Sequence, residues 1–455
     1  MADPPDPQPA ATQIGRDQIN APGSQGFINR AESVTQNFVE APAPPRIPAC
    51  PAPNAAELFG RAVMIGELAR RLIEGQGAVA ICAVRGLPGV GKTDLLRATD
   101  RDARVVAHFT GGVLYAELGP TPSLPSILRR WIAELGHRAP QSDDPATLAA
   151  VVRAALRDRR ALLILDDVWD SSLGAARALR DCASPACRAL ASSRSAQVAR
   201  EAARGAEPLT LDVLDPAAAL DLLRRHAPSA VAHDETGAAE LAEALGRLPL
   251  ALKLAGHLLA DDRRSSHPIP ALLTTWRARL DQLRGYETRP GQEPRTGTRR
   301  VNREPRTDEI AGATSPPRLP QRERGPGGEG RLSLDAIIGL SYDALPGDAT
   351  RAAAAALAAF GAMPLDWDWD AMAAVWEADE ETTTAFEQAL VGSGLLEWDE
   401  RSRRYSLHAT VQAFLERRAE PAAYEQHATY YGALMLQHGV ETLGRFKGDI
   451  DTALT

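Results

Sequence analysis

Apolar positions give the first outline of this chain. From Asn54 onward, short apolar runs alternate with stretches of helical spacing. AAELFGRAVMIGELARRLI reads as a short approach followed by an amphipathic helix. AVAICAVRG (Ala78 to Gly86) is a continuous apolar run closed by glycine, as expected of a strand buried on both faces. The same pattern recurs in GVLYAEL (Gly112 to Leu118), ALLILDDVW (Ala161 to Trp169), CRALASSR (Cys187 to Arg194) and LTLDVL (Leu209 to Leu214). Helical stretches separate the five runs. Residues 55–214 are therefore expected to form an α/β domain, a parallel sheet with helices on both faces.

Residues 215–284 carry helical periodicity alone, in AAALDLLRRHA, ETGAAELAEALGRLPLALKLAGHLLA and LLTTWRARLDQLR, and predict an all-α domain. Residues 285–331 are Arg, Pro, Gly, Thr and Glu with hardly an apolar side chain, and read as an unstructured linker of mixed charge. Order returns at Leu332. LSLDAIIGLSYDAL, ATRAAAAALAAF, DAMAAVWEA and TTTAFEQALVGSG read as helices. LLEWDERSRRYSLH reads as two strands around a polar turn, and ATVQAFLERRA as a closing helix. Helices, a two-stranded wing and a last helix describe a winged-helix domain over residues 332–418. Residues 419–455, with HATYYGALMLQHG, read as the start of a helical, repeat-like region. One helical pair cannot bury its own face, so the chain is expected to be a piece of a longer repeat-containing protein.

Residues 1–54 are dense in Pro, Gln, Asn and Gly and are expected to be a disordered tail. Within them TQIGRDQIN and QGFINRAESVTQNF alternate apolar and amide residues, a pattern suited to strand addition, self-association or effector recruitment.

Composition narrows the function classes. Of 455 residues, 44% are apolar and 24% charged, which is ordinary for a globular protein. The net charge of −8 gives no general drive toward nucleic acid or an anionic membrane. Lysine is confined to Lys92, Lys253 and Lys447 while arginine is abundant, which suggests a GC-rich, bacterial coding bias. Cys50, Cys82, Cys182 and Cys187 form no C-x-x-C pair and have no histidines beside them, so reduced thiols in a cytoplasmic protein are expected. The opening MADPPDPQPA is not a signal peptide, and no apolar run approaches the roughly 20 residues that span a bilayer.

The chemistry concentrates at one motif. Gly86-Leu87-Pro88-Gly89-Val90-Gly91-Lys92-Thr93 fits G-x-x-x-x-G-K-[ST], leaves a predicted strand and opens a predicted helix. Glycines there turn backbone N–H groups inward onto phosphate oxygens, and the helix adds its positive end. Lys92 would reach the β- and γ-phosphates and Thr93 would offer its hydroxyl to Mg2+, with Asp94 in the turn behind them. The third strand ends in Asp166-Asp167 after four apolar residues, the Walker B pattern. Asp166 would hold the magnesium and Asp167 would polarise the attacking water, giving Lys92, Asp166 and Asp167 as catalytic candidates. The fourth strand ends in Ser192-Ser193-Arg194. Arg194 is either a contact to the γ-phosphate or a solvated strand-end arginine.

The ensemble resembles the NB-ARC branch of the STAND P-loop NTPases, which includes plant disease-resistance proteins and the apoptotic protease-activating factor. The carrying segments are LFGR (Leu58 to Arg61), GLPGVGKT, GGVLYAEL, LLILDDVW, ASSRS, GRLPLAL (Gly246 to Leu252) and YSLHATVQAFL (Tyr405 to Leu415), in order across residues 55–420. The resemblance implies that Phe59, Gly60, Arg61 and Val63 lie near the adenine. It implies that Pro249 presses on the adenine or ribose, and that His408 reaches the β-phosphate of ADP. It further implies an ATP/ADP switch: an ADP-bound resting state, opening and homo-oligomerisation on ATP, and slow hydrolysis, serving bacterial defence or regulation. Leu407-His408-Ala409 departs from the family's Met-His-Asp, which leaves the resting lock looser or differently built. Two other readings stand beside this one. The first is an ATP-controlled winged-helix transcription regulator, disfavoured because TTTAFEQALVGSG lacks Arg and Lys. The second is an ATP-driven remodeller, disfavoured because no substrate pore loop is evident. Trigger and effector are not legible.

Overall fold

The computed structural model describes residues 58–75, 78–83, 88–260, 268–287, 328–361, 366–399 and 403–442. The expectations for residues 1–54, for the body of the 285–331 linker and for residues 443–455 lie outside these.

The first part of the chain runs α1 (Ala62–Glu74), β1 (Ala78–Ala83), α2 (Lys92–Arg101), α3 (Ala103–His108), β2 (Gly112–Gly119), α4 (Leu124–Glu134), α5 (Pro145–Ala155), β3 (Ala161–Val168), α6 (Leu173–Arg180), β4 (Arg188–Ser193), α7 (Ala196–Ala202) and β5 (Leu209–Leu211). The five strands form one all-parallel sheet in the order β2-β3-β4-β1-β5. Each apolar run of the sequence became a strand because a strand inside a parallel sheet presents both its faces to helices. β3 makes the point: Leu162 and Ile164 enter one core, with α1, α2 and α3, while Leu163 and Leu165 enter the other, with α4 to α7. All four are fully buried, each contributing on the order of 1.5–3 kcal/mol. Trp131 of α4, also buried, donates its indole N–H to the Tyr115 carbonyl at 2.9 Å and pins that helix to β2.

The helical part comprises α8 (Pro216–His226), α9 (Pro228–His233), α10 (Glu235–Ala244), α11 (Pro249–Ala260) and α12 (Pro268–Glu287). Asp215 and Asp234 cap α8 and α10 by accepting from the Ala218 and Gly237 amides, leaving fewer orphan N–H groups at those ends. The stretch ETGAAELAEALGRLPLALKLAGHLLA is two helices. It breaks at Gly246 (φ 67°) and Arg247 (φ 52°), and Pro249 restarts the helix at its first position, where a missing N–H costs nothing.

The remainder is α13 (Gly328–Asp343), α14 (Gly347–Ala356) with a 3-10 turn at Leu357–Phe360, α15 (Trp369–Trp376), α16 (Glu380–Gly392), β6 (Glu397–Asp399), β7 (Arg404–Ser406), α17 (Ala409–Glu416) and α18 (Pro421–Thr442). Helix occupies both margins of the expected linker, since α12 runs to Glu287 and α13 begins at Gly328. β6 and β7 pair antiparallel, and Trp367 bridges to Tyr405 with reciprocal backbone bonds of 3.0 and 2.8 Å. Trp367 also stacks on Phe360, ring centroids 4.4 Å apart. No described helix is long and apolar enough to cross a membrane.

Candidate functional site

The carboxyl ends of the strands in a parallel sheet converge on the loops that follow them, and ligand sites gather there. Here the loop after β1 turns into α2 at that edge. Gly86 and Leu87 lie outside the described residues; from Pro88 the chain is placed. Gly89 (φ 71°) and Gly91 (φ 89°) both take the left-handed conformation that a Cβ disfavours, and Gly91 caps α2. Val90 is buried and anchors the turn. The first-turn amides of α2 therefore face out of the helix end beside Lys92, which is itself buried to 9% exposure. Asp94 follows in the same turn. This is a cradle suited to phosphate oxygens.

Beneath it lies a polar cluster that the sheet register creates. Thr93 Oγ1 donates to Asp166 Oδ2 at 2.6 Å, and the Tyr115 hydroxyl donates to the same oxygen at 2.8 Å. The other oxygen, Asp166 Oδ1, accepts from Ser192 Oγ and, at 2.9 Å, from the Asp167 amide. Asp166 is 1% exposed, so these donors are what make its burial tolerable. A hydroxyl and a carboxylate brought this close are hard oxygen donors of the kind that suit Mg2+.

Asp167 is placed differently. The β3–β4 register slips between Leu165 and Val168, and Asp167 sits at φ 48°. Its Oδ2 accepts from the Trp169 indole at 2.7 Å and its Oδ1 from Arg194 Nε at 3.2 Å, while the Arg194 guanidinium lies 4.9 Å from the Trp169 ring centre. Arg194 is thus held at the site edge by a carboxylate and an aromatic face. Glu117, in register with Asp166 on the neighbouring strand, is held well above the usual carboxylate range by burial, then by Asp166 and Asp167.

The later helices cover the cradle. The Leu250 amide donates to the Gly89 carbonyl at 3.4 Å. A Cβ on Gly89 would meet Leu334 Cδ1 of α13 at 3.1 Å and Leu250 Cβ at 3.2 Å. Pro249 Cγ stands 4.0 Å from where a Gly91 Cβ would be. On the other side Arg61 is buried, its Nη2 donating to the Val90 carbonyl at 3.3 Å and the Asp212 carbonyl at 2.7 Å. Burial lowers its pKa, against the pull of Asp212 and Asp215. Gly60 (φ 65°) comes so near α8 that a Cβ would lie 2.7 Å from Ala218 Cβ, and Phe59 packs on the adjoining core. Val63 is set apart, its side chain 87% exposed on α1.

His408 caps α17, its Nδ1 accepting from the Thr410 amide at 3.1 Å. Burial pushes its pKa down to about 4, opposed by Glu397 and reinforced by the nearby positive charges of Lys253, Lys92 and Arg194. The histidine therefore stands within electrostatic reach of the cradle lysine. Lys253 of α11 donates to Glu397 Oε1 of β6 at 2.9 Å. Burial drives Glu397 upward, yet Lys253, His408 and Arg97 hold it below its ordinary value.

The structure sets Lys92, Thr93, Asp166, Asp167 and Arg194 at one edge of the sheet, with Arg61 and Pro249 against the Gly89–Gly91 loop. Sequence reasoning passed over Tyr115, Glu117, Lys253 and Glu397. Glu117 was within reach of sequence reasoning, being a carboxylate near the carboxyl end of a buried strand. Lys253 and Glu397 meet only through tertiary packing.

Residues 61–232 match the NB-ARC domain family. The chain is similar to the regulatory protein AfsR of Streptomyces coelicolor, 30% identical over 293 residues that cover 61% of this chain and 28% of AfsR. It is also similar to the late blight resistance protein R1-A of Solanum demissum, 26% identical over 219 residues, 45% of this chain and 16% of that protein. The chain therefore spans less than a third of the length of either. A solved signal transduction ATPase with numerous domains, a STAND protein with a tetratricopeptide repeat sensor from Pyrococcus horikoshii, aligns over 90% of this chain and 50% of its own, at 14% identity and a TM-score of 0.48.

Proposed function

We propose, from the match of residues 61–232 to the NB-ARC domain family, that the chain is an ATP/ADP-dependent switch of the STAND class with slow ATPase activity. The observation that carries this reading is the cradle from Gly89 to Thr93, backed by Asp166 and roofed by Pro249, Leu250 and Leu334. Lys92 and the α2 amides hold the polyphosphate. Thr93 and Asp166 supply oxygens to Mg2+, which when bound screens the phosphate charge. Asp167 orients the attacking water once Arg194 leaves it for the γ-phosphate. Phe59, Gly60 and Arg61, with the backbone at Val63, line the adenine side, and Pro249 presses from the helical domain.

Residues 332–418 act as a winged-helix module whose His408 meets the β-phosphate of ADP and keeps the resting form closed. ATP favours an open form that assembles with copies of itself in the cytoplasm, in defence or regulation. Such switching requires the two nucleotides to bind the two forms unequally. The order of segments is 55–214 for nucleotide binding, 215–284 as the helical domain, then the linker and the winged helix. Groove reading of DNA is disfavoured, since α16 displays Glu380, Glu381 and Glu387 and carries no basic residue.

The test is the nucleotide retained through purification, with calorimetric titration of the stripped protein. ADP held at high affinity and lost in Lys92→Ala, with weakened ADP retention in His408→Ala, is the expected result. No adenine nucleotide binding by well-folded protein would refute the reading.

A further inference from the structure

The ion pair between Lys253 and Glu397 belongs to no motif, yet its position is informative. Pro249 opens α11 against Gly91, and Lys253 follows four residues later, one turn along the same helix face. Lys253 thus projects from the helix that Pro249 starts beside Gly91. There it meets Glu397, the first residue of β6 in the C-terminal module, at 2.9 Å. The two side chains keep only 20% and 24% of their exposure. His408 completes the group, since Glu397, Lys253, Lys92 and Arg194 all act on it electrostatically. Arg97, buried on α2, also acts on Glu397 electrostatically. Glu397 is the carboxylate that opposes the fall of the His408 pKa.

We propose that Glu397 is the residue by which the closed form tells a nucleoside triphosphate from a diphosphate: its carboxylate opposes the terminal phosphate, and Lys253 is the counter-charge that holds it in place. The inference rests on the nucleotide-binding reading above. A triphosphate brings one more phosphoryl group toward Lys92 and Arg194, and with it added negative charge near a half-buried carboxylate. Like charges in a site of low dielectric repel strongly. The closed form then disfavours the triphosphate, while movement of β6 away from α11 relieves the repulsion and releases Lys253 to face the phosphate. An ion pair that merely fastens the hairpin to the helix would weaken or strengthen both nucleotides together.

Calorimetry on the full chain with ADP and with a non-hydrolysable ATP analogue separates these cases. Glu397→Gln keeps an acceptor for Lys253 but removes the charge. It is expected to improve analogue affinity relative to ADP by about tenfold, a usual size for coupling between states. Lys253→Met, which leaves the carboxylate without its counter-charge, shifts the ratio the opposite way. An analogue-to-ADP affinity ratio unchanged in both variants, with binding intact, overturns the inference alone. Absence of binding in the wild-type protein overturns the nucleotide reading and the inference with it.

Discussion

Single residues carry the shape of the cradle. Gly89 and Gly246 share a left-handed backbone, but only Gly89 is enclosed; a Cβ on Gly246 would meet nothing within 4 Å. Either glycine replaced by alanine loses about 1–2 kcal/mol to backbone strain alone. Gly89→Ala must also displace Leu250 and Leu334, so it is expected to be the more destabilising by about 1 kcal/mol or more. Urea unfolding of the two variants side by side measures the difference, and equal losses would mean the roof gives way easily. At this scale the motif residues were legible because glycine spacing and a following lysine and threonine have few structural uses. Tyr115 was not, since a tyrosine in an apolar strand reads as core until the register places its hydroxyl 2.8 Å from Asp166. Lys253 and Glu397 were illegible for a different reason: a contact between residues so far apart in sequence leaves no local periodicity.

Elements were legible where one period dominated. The five strands fell where the apolar runs stood, and α13 to α17 followed the helical spacing. What escaped were interruptions shorter than a turn. The Gly246–Arg247 break divides a single helical pattern, and Trp367 adds a one-residue bridge to the β6–β7 hairpin that no alternation could announce. That bridge is an energetic hinge point. Trp367 is fully buried and stacked on Phe360, so Trp367→Ala removes packing worth about 3–5 kcal/mol. The expected outcome is early loss of the C-terminal helices on heating while the sheet domain persists, resolved as two transitions by calorimetry. A single unshifted transition would contradict it. At the other domain, Asp215→Ala uncaps α8 and is expected to cost about 1 kcal/mol without loss of secondary structure by circular dichroism.

The whole molecule responds to pH through groups it buries. His226, His408 and His427 are each pushed down to about 4, in every case by burial first. Unfolded, they titrate near 6.5, so between these values the unfolded chain binds more protons than the folded one. Their contribution is present above pH 6.5 and is lost as pH falls toward 4, on the order of 1–2 kcal/mol for each histidine by pH 5. Glu134, raised to about 7 by burial, acts in the opposite sense: it favours the fold most below its unfolded pKa and loses that contribution as pH rises through 7. Melting temperature is therefore expected to peak near neutrality and fall steeply toward pH 5. His427→Phe, in a pocket already walled by Phe360 and Tyr431, should flatten the acid limb. An unaltered acid limb in that variant would place the proton uptake elsewhere.

Gly89 lies under a leucine from each of two later segments, Leu250 of α11 and Leu334 of α13. If the loop holds a nucleotide, as proposed above, release of that guest is expected to wait on the parting of these leucines. Occupancy would then outlast the encounter that produced it, and the chain would keep a record of its last visitor for as long as the leucines stay down.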